Sequence, residues 1–270
     1  MFHSYAAIGD SFTEGLGDDL PGGGVRGWAD LVALGFAAAG RAEAAGAGRA
    51  GEAAAPFRYA NLAIRGRKLA PLIAEQLQPA LDLKPELLSI NGGGNDIMRP
   101  RVAIVDVARM LEDAVDTAVA AGVHVLFVSG ANPSAHVPLG ALVRKRGEQL
   151  AAAVRAGQPR DGVTFVDNWG DGPLGDIRYW SADKLHLNAL GHARVASNVL
   201  TAFDVPVPPE WGVEEAAAAP AGPRSRNTAA YYREFVLPWI GRRLTGRSSG
   251  DGRAPKIATL QVVETDAAAG

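Results

Sequence analysis

Five short apolar runs alternate with longer segments of helical periodicity over the first two hundred residues, and this alternation limits the possible folds more than any other feature. The runs typical of strands are Ala6–Ile8, Phe57–Ile64, Glu86–Ile90, Val123–Val128 and Val163–Val166. The segments with helical spacing are Trp28–Ala39, Leu69–Leu81, Val102–Ala121, His136–Ala156 and Asn188–Phe203. Strands that alternate with helices of this length form parallel sheets with helices on both faces. We therefore predict an α/β fold, a three-layer α/β/α sandwich around a five-stranded parallel sheet.

Right-handed crossovers between parallel strands would make this sheet doubly wound, in the flavodoxin-like manner. The composition changes after the last predicted helix, because residues 205–226 are rich in Pro and Ala. We therefore predict three segments: an α/β domain over residues 1–204, a linker over 205–226, and a basic C-terminal helix and tail over 227–270.

Charge and composition exclude several classes of function. The chain has 270 residues and a formal net charge of −2, which argues against nucleic acid as a main partner. It has no Cys, so neither a thiolate metal site nor a cysteine nucleophile is available. The sequence starts without a basic and apolar leader, and no stretch reaches the roughly 18 apolar residues of a membrane span. We expect a soluble, cytoplasmic protein without an integral membrane segment.

One glycine-rich segment matches the letters of a dinucleotide-binding loop. Gly46–Gly51 reads Gly-x-Gly-x-x-Gly, but it precedes a predicted strand instead of following one and opening a helix. The context is therefore reversed, and we predict no bound cofactor.

Polar residues follow the ends of the predicted strands. The first strand ends at Ser11 in a Gly-Asp-Ser sequence, and Gly66 and Asn95 follow the second and third strands. A loop before the last helix contains Asp183 and His186. Ligands of open α/β sheets bind at the carboxyl ends of the strands, so we expect these residues to meet there.

These residue types suit nucleophilic catalysis. A serine hydroxyl needs a base within hydrogen-bond reach, and the base needs a third group to orient it. His186 can act as the base, and Asp183, three residues earlier, can turn its carboxylate back onto the far ring nitrogen. A capping carboxylate beside an exposed histidine would give the same letters. A metal site with His192 is disfavoured, because a six-residue gap does not place two histidines on one helix face, and we predict no metal.

Taken together, the four blocks resemble those of the SGNH (GDSL) hydrolase family, over roughly residues 3–203. The resemblance implies a serine hydrolase that cleaves carboxylic esters through an acyl-enzyme, with a small-molecule ester as its partner. It implies Ser11 as the nucleophile, with His186 and Asp183 completing a triad. It also implies an oxyanion hole made by the backbone N–H groups of Ser11 and Gly66 and the side-chain amide of Asn95.

Two other functions stay open at this point. An acyltransferase would use the same site with an alcohol in place of water. An interaction protein would act through its basic C-terminal segment, although it would have no need of all five site residues. Arg65 and Lys68 flank Gly66 and predict positive charge at the mouth of the site, which suits an anionic or polar substrate.

The C-terminal segment has apolar residues at helical spacing between Tyr232 and Ile240, and Asn227 can cap the start of this helix. We expect the helix to dock on the α/β domain or on a second copy of the chain. The alternative is contact with a membrane surface or an acidic partner through Arg242, Arg243 and Arg247.

Overall fold

The computed structural model of the chain describes residues 1–46, 56–220, 222, 227–245 and 247–264, without the side chains of residues 243 and 244. Its strands are β1 Ser4–Ile8, β2 Arg58–Asn61, β3 Leu87–Ile90, β4 His124–Val128, β5 Val163–Val166 and β6 Ile257–Val262. Its helices include α1 Ser11–Glu14, α2 Trp28–Gly46, α3 Leu69–Asp82, α4 Gly94–Ile97, α5 Ile104–Ala120, α6 Gly140–Ala156, α7 Ala189–Ala202, α8 Val213–Ala218, α9 Ala229–Tyr231 and α10 Leu237–Leu244. Residues 47–51, part of the segment rejected as a cofactor loop, and the Arg243 side chain lie outside the described residues.

In the described part of the chain the sheet has six strands, in the order β5-β4-β3-β1-β2-β6. The five predicted strands are parallel and follow the flavodoxin-like order, which confirms the predicted α/β fold. The sixth strand, β6, was not predicted. It pairs antiparallel with β2 and closes that edge of the sheet.

Helices cover both faces of the sheet, so the fold is a three-layer sandwich. On one face, α2 and α7 pack against alternate strand residues such as Tyr5 and Ala7. On the other face, α3, α5 and α6 pack against Ala6 and Ile8. All four of these strand residues are fully buried, which explains why β1 reads as a continuous apolar run.

The chain leaves the neighbouring strands β1 and β3 in opposite directions along the sheet. The next strand after β1 is β2, on one side, while the next strand after β3 is β4, on the other side. Such a switch point opens a crevice between the two loops that follow the strands. The loops that begin after Ile8 and Ile90 form the walls of this crevice.

Part of the predicted linker packs against the α/β domain. Val205 and Val213 are buried beside α7. The guanidinium of Arg178 donates to the carbonyl oxygens of Ala216, at 3.0 Å, and of Pro220. Residues 205–220 are therefore held on the domain surface, while the division of the chain into three segments stays a prediction.

The C-terminal segment is helical, as its spacing predicted. Helix α9 continues through a π-helical turn at Tyr232–Val236 into α10. The cap is Thr228, whose hydroxyl accepts a hydrogen bond from the Tyr231 N–H at 3.2 Å, and not the predicted Asn227. Among the described residues, no helix has the length and apolar character that crossing a membrane requires.

Candidate active site

Ser11 lies at the N-terminus of α1, directly beyond the end of β1. The chain turns sharply at Gly9, where a Cβ would collide with the side chain of Thr13. The Asp10 carboxylate then accepts a hydrogen bond from the Phe12 N–H at 3.1 Å and caps the short helix. This local geometry directs the start of α1, and with it Ser11, into the crevice at the switch point.

Ser11, His186 and Asp183 lie in a row of hydrogen bonds. The Ser11 Oγ is 3.0 Å from His186 Nε2, and His186 Nδ1 is 2.6 Å from Asp183 Oδ2. The serine and the histidine are 175 positions apart in the sequence. The fold thus brings together the three residues that the sequence selected from opposite ends of the α/β domain.

The Asp183 carboxylate is held in its charged form. Burial opposes this charge, but the hydrogen bond and charge of His186 outweigh it, together with the N–H groups of Leu185 and His186, so the pKa of Asp183 lies below its ordinary value. Its Oδ1 also accepts from the Ser181 hydroxyl at 2.8 Å. Four hydrogen bonds from one short loop therefore orient the carboxylate toward the imidazole.

Gly66 stands in the loop after β2, where its φ of +73° suits glycine. The preceding residue, Arg65, was predicted to supply positive charge to the mouth of the site, and this prediction is wrong. Its N–H and its guanidinium instead bind the buried Glu14 carboxylate, with an N–O distance of 2.7 Å for the N–H. Because Glu14 belongs to the same short helix as Ser11, this pair fixes the Gly66 loop relative to Ser11.

Asn95, at the start of α4, borders the same cleft as Ser11 and Gly66. Its side-chain amide donates to Asp10 Oδ2 at 3.1 Å and to the Arg67 carbonyl oxygen at 3.0 Å. Both amide hydrogens are therefore engaged with the protein. Burial raises the pKa of Asp10 to about 6, although its hydrogen bonds and the charge of His186 oppose this shift.

Several positioning residues were not found from the sequence. The buried Gln76 binds both the N–H and the carbonyl oxygen of Gly9, at 2.8 and 3.1 Å. Glu14 holds Arg65, as described above. Both contacts join segments that are at least fifty residues apart, and no local pattern marks their partners. A polar residue within an otherwise apolar helix face, as at Gln76, is the one signal available.

His192 is fully buried and does not join His186. Its Nδ1 accepts from the Trp28 N–H at 3.2 Å, so its Nε2 donates to the Leu16 carbonyl oxygen at 3.1 Å. Burial lowers the pKa of His192 to about 4. It thus links α7 to the start of α2 and to the loop that follows Ser11.

An apolar cavity of about 140 Å³ opens beside Ser11 and His186. Its walls come from the ends of β3 and β4, from α6 and from the chain after β5, which contributes Trp169 and Trp180. A second cleft also borders Ser11 and His186, and most of its other lining residues are polar or charged.

The C-terminal segment lies against this site. The Tyr231 hydroxyl donates to the Asp183 carbonyl oxygen at 3.0 Å, and the Ser248 hydroxyl donates to the Gly66 carbonyl oxygen at 3.1 Å. Lys256 binds the Glu14 carbonyl oxygen and the Asp30 carboxylate, each at 2.6 Å. The segment therefore contacts the loops that carry Asp183, Gly66 and Ser11.

A hydroxyl, an imidazole and a carboxylate in a row beside an apolar cavity are typical of hydrolytic enzymes. Comparison with known proteins places the chain more closely: residues 7–194 match the model of the GDSL-like lipase/acylhydrolase family. The match covers more than half of the chain, and the protein belongs to this family. Membership supports ester hydrolysis as the general class of reaction.

Solved structures with the same fold include three enzymes. A lipase from a goat rumen metagenome is 15% identical, with a TM-score of 0.55 over 76% of this chain and 99% of that chain. The acetylxylan esterase of Geobacillus stearothermophilus is 17% identical, with a TM-score of 0.56 over 76% and 95%. An α/β hydrolase enzyme from the metagenome of Lake Arreo, Spain, is 18% identical, with a TM-score of 0.56 over 75% and 95%. No curated protein matches the sequence.

Proposed function

We propose that the protein is a serine esterase that cleaves carboxylic esters through an acyl-enzyme, with Ser11 as the nucleophile. The observation that carries the proposal is the pair of hydrogen bonds that joins Ser11 to His186 at 3.0 Å and His186 to Asp183 at 2.6 Å. A base that is itself oriented by a carboxylate is what a weak oxygen nucleophile needs at neutral pH.

The proposed reaction has two halves. Ser11 Oγ attacks the ester carbonyl carbon while its proton passes to His186 Nε2, and the alcohol then leaves with that proton. Water next attacks the acyl carbon and gives a proton to His186 Nε2, and Ser11 Oγ takes this proton back as the acid departs. Asp183 stays ionised throughout, holds the Nδ1 proton and stabilises the charged imidazole.

The oxyanion of each tetrahedral intermediate needs fixed donors. Neither the Ser11 N–H nor the Gly66 N–H donates to another described residue, which leaves both for the substrate. Asn95 is proposed as the third donor. Its amide would exchange the hydrogen bond to Asp10 or to Arg67 for one to the oxyanion, a rearrangement that catalytic contacts often undergo on substrate binding.

The apolar cavity suggests the size of one half of the substrate. An apolar cavity of about 150 Å³ holds a benzene molecule, so 140 Å³ accommodates a short acyl chain or one ring. The His186 side chain is 20% exposed, so water can reach the base, as hydrolysis requires.

Replacing the proposed nucleophile tests this function. We expect Ser11→Ala to abolish hydrolysis of p-nitrophenyl esters of two to eight acyl carbons, while Ser197→Ala, on α7 and away from the site, keeps it. The thermal midpoint of Ser11→Ala should stay within a few degrees, because one hydroxyl is removed. Retained turnover, or an activity that a chelator removes, would exclude the serine mechanism. Product analysis with added alcohols separates hydrolysis from acyl transfer.

A further inference from the structure

The second cleft beside Ser11 and His186 is lined by an excess of cationic side chains. It has a volume of about 390 Å³ and is bordered by Ser11 and His186. Among the described residues, one carboxylate, that of Asp251, and five basic residues line it: Arg67, Lys68, Arg99, Arg242 and Arg247. They come from the Gly66 loop, from the turn after α4 and from the C-terminal segment. The excess of positive charge therefore arises because the fold brings these segments together, and not from one run of basic residues in the sequence.

Most of these cations have no partner of opposite charge in direct contact. Arg67 is paired with Glu75 at 2.8 Å and lies 3.7 Å from Asp251. Among the described residues, no carboxylate lies within 4.0 Å of the side chains of the other four. Uncompensated positive charge in a cleft attracts anions and raises their local concentration.

Arg99 gives independent support. Its Nε is buried and has no hydrogen-bond partner among the described residues. A buried donor without a partner is costly, and a turn of the Arg99 side chain toward an anion in the cleft would relieve this cost. Lys68 and Arg99 also interact electrostatically with the buried Asp96, which offsets part of their charge.

The two C-terminal arginines belong to an anchored part of the chain. Ser248 Oγ is bound to the Gly66 carbonyl oxygen, and the Ser248 N–H donates to Asp251 at 2.8 Å. Gly250 is buried directly against Arg65, where a Cβ would meet the Arg65 carbonyl oxygen. These contacts hold Arg242 and Arg247 at the cleft. Arginines in a cleft are better placed to bind a small anion than to contact an extended membrane surface.

We propose that the substrate is an ester with an apolar group on one side and an anionic group, a carboxylate or a phosphate, on the other. The apolar group enters the cavity, and the anionic group binds in the cleft to Arg99, Arg242 and Arg247. The inference rests on the proposed esterase function, because it needs Ser11 to stand between the two halves of one ester.

Pairs of esters that are similar in shape but differ in charge test the proposal on both sides of the ester bond. The pair 4-carboxyphenyl butyrate and 4-carbamoylphenyl butyrate places the charge on the alcohol, and monoethyl adipate with its monoamide analogue places it on the acyl group. A further ester, 4-phosphonooxyphenyl butyrate, compares phosphate with carboxylate. We expect at least one anionic ester to exceed its neutral match about tenfold in kcat/KM. The preference should shrink as salt is raised.

Arginine variants then locate the effect. Arg242→Gln and Arg247→Gln should each reduce the ratio of anionic to neutral kcat/KM several-fold, mainly through KM, because they remove charge that binds the ground state. Arg109→Gln, an exposed residue of α5 that is 68% accessible and pairs only with Asp106 among the described residues, is the matched control and should leave the ratio unchanged.

A binding measurement separates this proposal from the esterase function. Titration calorimetry with Ser11→Ala protein should show tighter binding of the preferred anionic ester than of its neutral match, and Arg247→Gln added to that variant should remove the difference. Hydrolysis of neutral esters without any anionic preference would overturn the anionic-substrate proposal alone. If the wild-type protein hydrolyses no ester in a Ser11-dependent way and the binding preference is still observed, the esterase proposal is overturned and an anion-binding cleft remains.

Discussion

His192 shows how a histidine close in sequence to the proposed catalytic His186 can have a purely structural role. Its two ring nitrogens are occupied by the Trp28 N–H and the Leu16 carbonyl oxygen, so the ring must be neutral to accept and donate at once. Burial lowers its pKa from 6.5 to about 4. Protonation would break the bond to Trp28 and place a charge in the interior.

This contact predicts a specific acid sensitivity. The folded-state pKa is depressed, so the unfolded chain binds more protons between pH 6.5 and 4, and stability is lost as the pH falls through that range. The loss is at most about 3.5 kcal/mol, at about 1.4 kcal/mol for each pH unit. We expect the stability advantage of the wild type over His192→Gln, measured by urea unfolding, to shrink from pH 7 to pH 4. If the free energies of unfolding of the two proteins change in parallel with pH, His192 is not a neutral ring with a hydrogen bond at each nitrogen.

Short local patterns, taken together and in their order along the chain, were enough to propose Ser11, Asp183 and His186. Each stands at the end of a predicted strand or in a loop that opens a helix, and the need of a serine for an oriented base connects them. Glu14 and Gln76 could not be selected in this way. Their partners are backbone groups 51 and 67 positions away, and only the folded chain brings them into contact.

The loop around Gly66 joins three parts of the molecule. Arg65 binds Glu14 of α1, while the Gly66 carbonyl oxygen accepts from Ser248. A Cβ on Gly66 would collide with the hydroxyl of Ser248 and come within 2.7 Å of that of Ser249. The backbone conformation and the close C-terminal segment therefore both require glycine here.

Gly66→Ala should harm catalysis more than stability. The left-handed conformation costs a non-glycine residue roughly 1–2 kcal/mol, and relief of the contact with Ser248 would shift the N–H that is proposed to bind the oxyanion. We expect kcat to fall at least tenfold on a short neutral ester. The thermal midpoint should fall by about 2–4 °C for each kcal/mol.

Gly122→Ala is the matched control for this variant. Gly122 has a φ of +80°, and in the described part of the chain no atom other than those of its two neighbours lies within 4 Å of its Cβ position. It stands between α5 and β4, away from the site. It should share the loss of stability and keep kcat. An equal fall in kcat for both variants would show that Gly66 acts only through global stability.

The regular elements were predictable because each has its own period. Buried strands read as apolar runs, and the amphipathic helices repeat their apolar residues every three or four positions. Strand β6 lacks such a mark, because it lies at the edge of the sheet and four of its six residues, Ala258, Thr259, Gln261 and Val262, stay exposed. Its pairing with β2 spans about two hundred residues, which no local pattern records.

The C-terminal segment is part of the same folded unit as the site. It adds β6 to the sheet, binds the Asp183 loop through Tyr231 and contacts Gly66 through Ser248. Its other face carries the exposed apolar side chains of Leu237 and Ile240. Contact with a second copy of the chain through that face stays a prediction.

Deletion of residues 221–270 tests the segment as a whole. We expect a lower thermal midpoint and self-association, because removing β6 exposes the unpaired edge of β2. We also expect kcat on neutral esters to fall, since the Asp183 loop loses the bond from Tyr231. Tyr231→Phe removes that bond alone and should lower kcat without association. Light scattering and thermal unfolding measure the first effect and steady-state kinetics the second. A truncated protein that stays monomeric, equally stable and equally active would show that the segment neither completes the sheet nor supports the site.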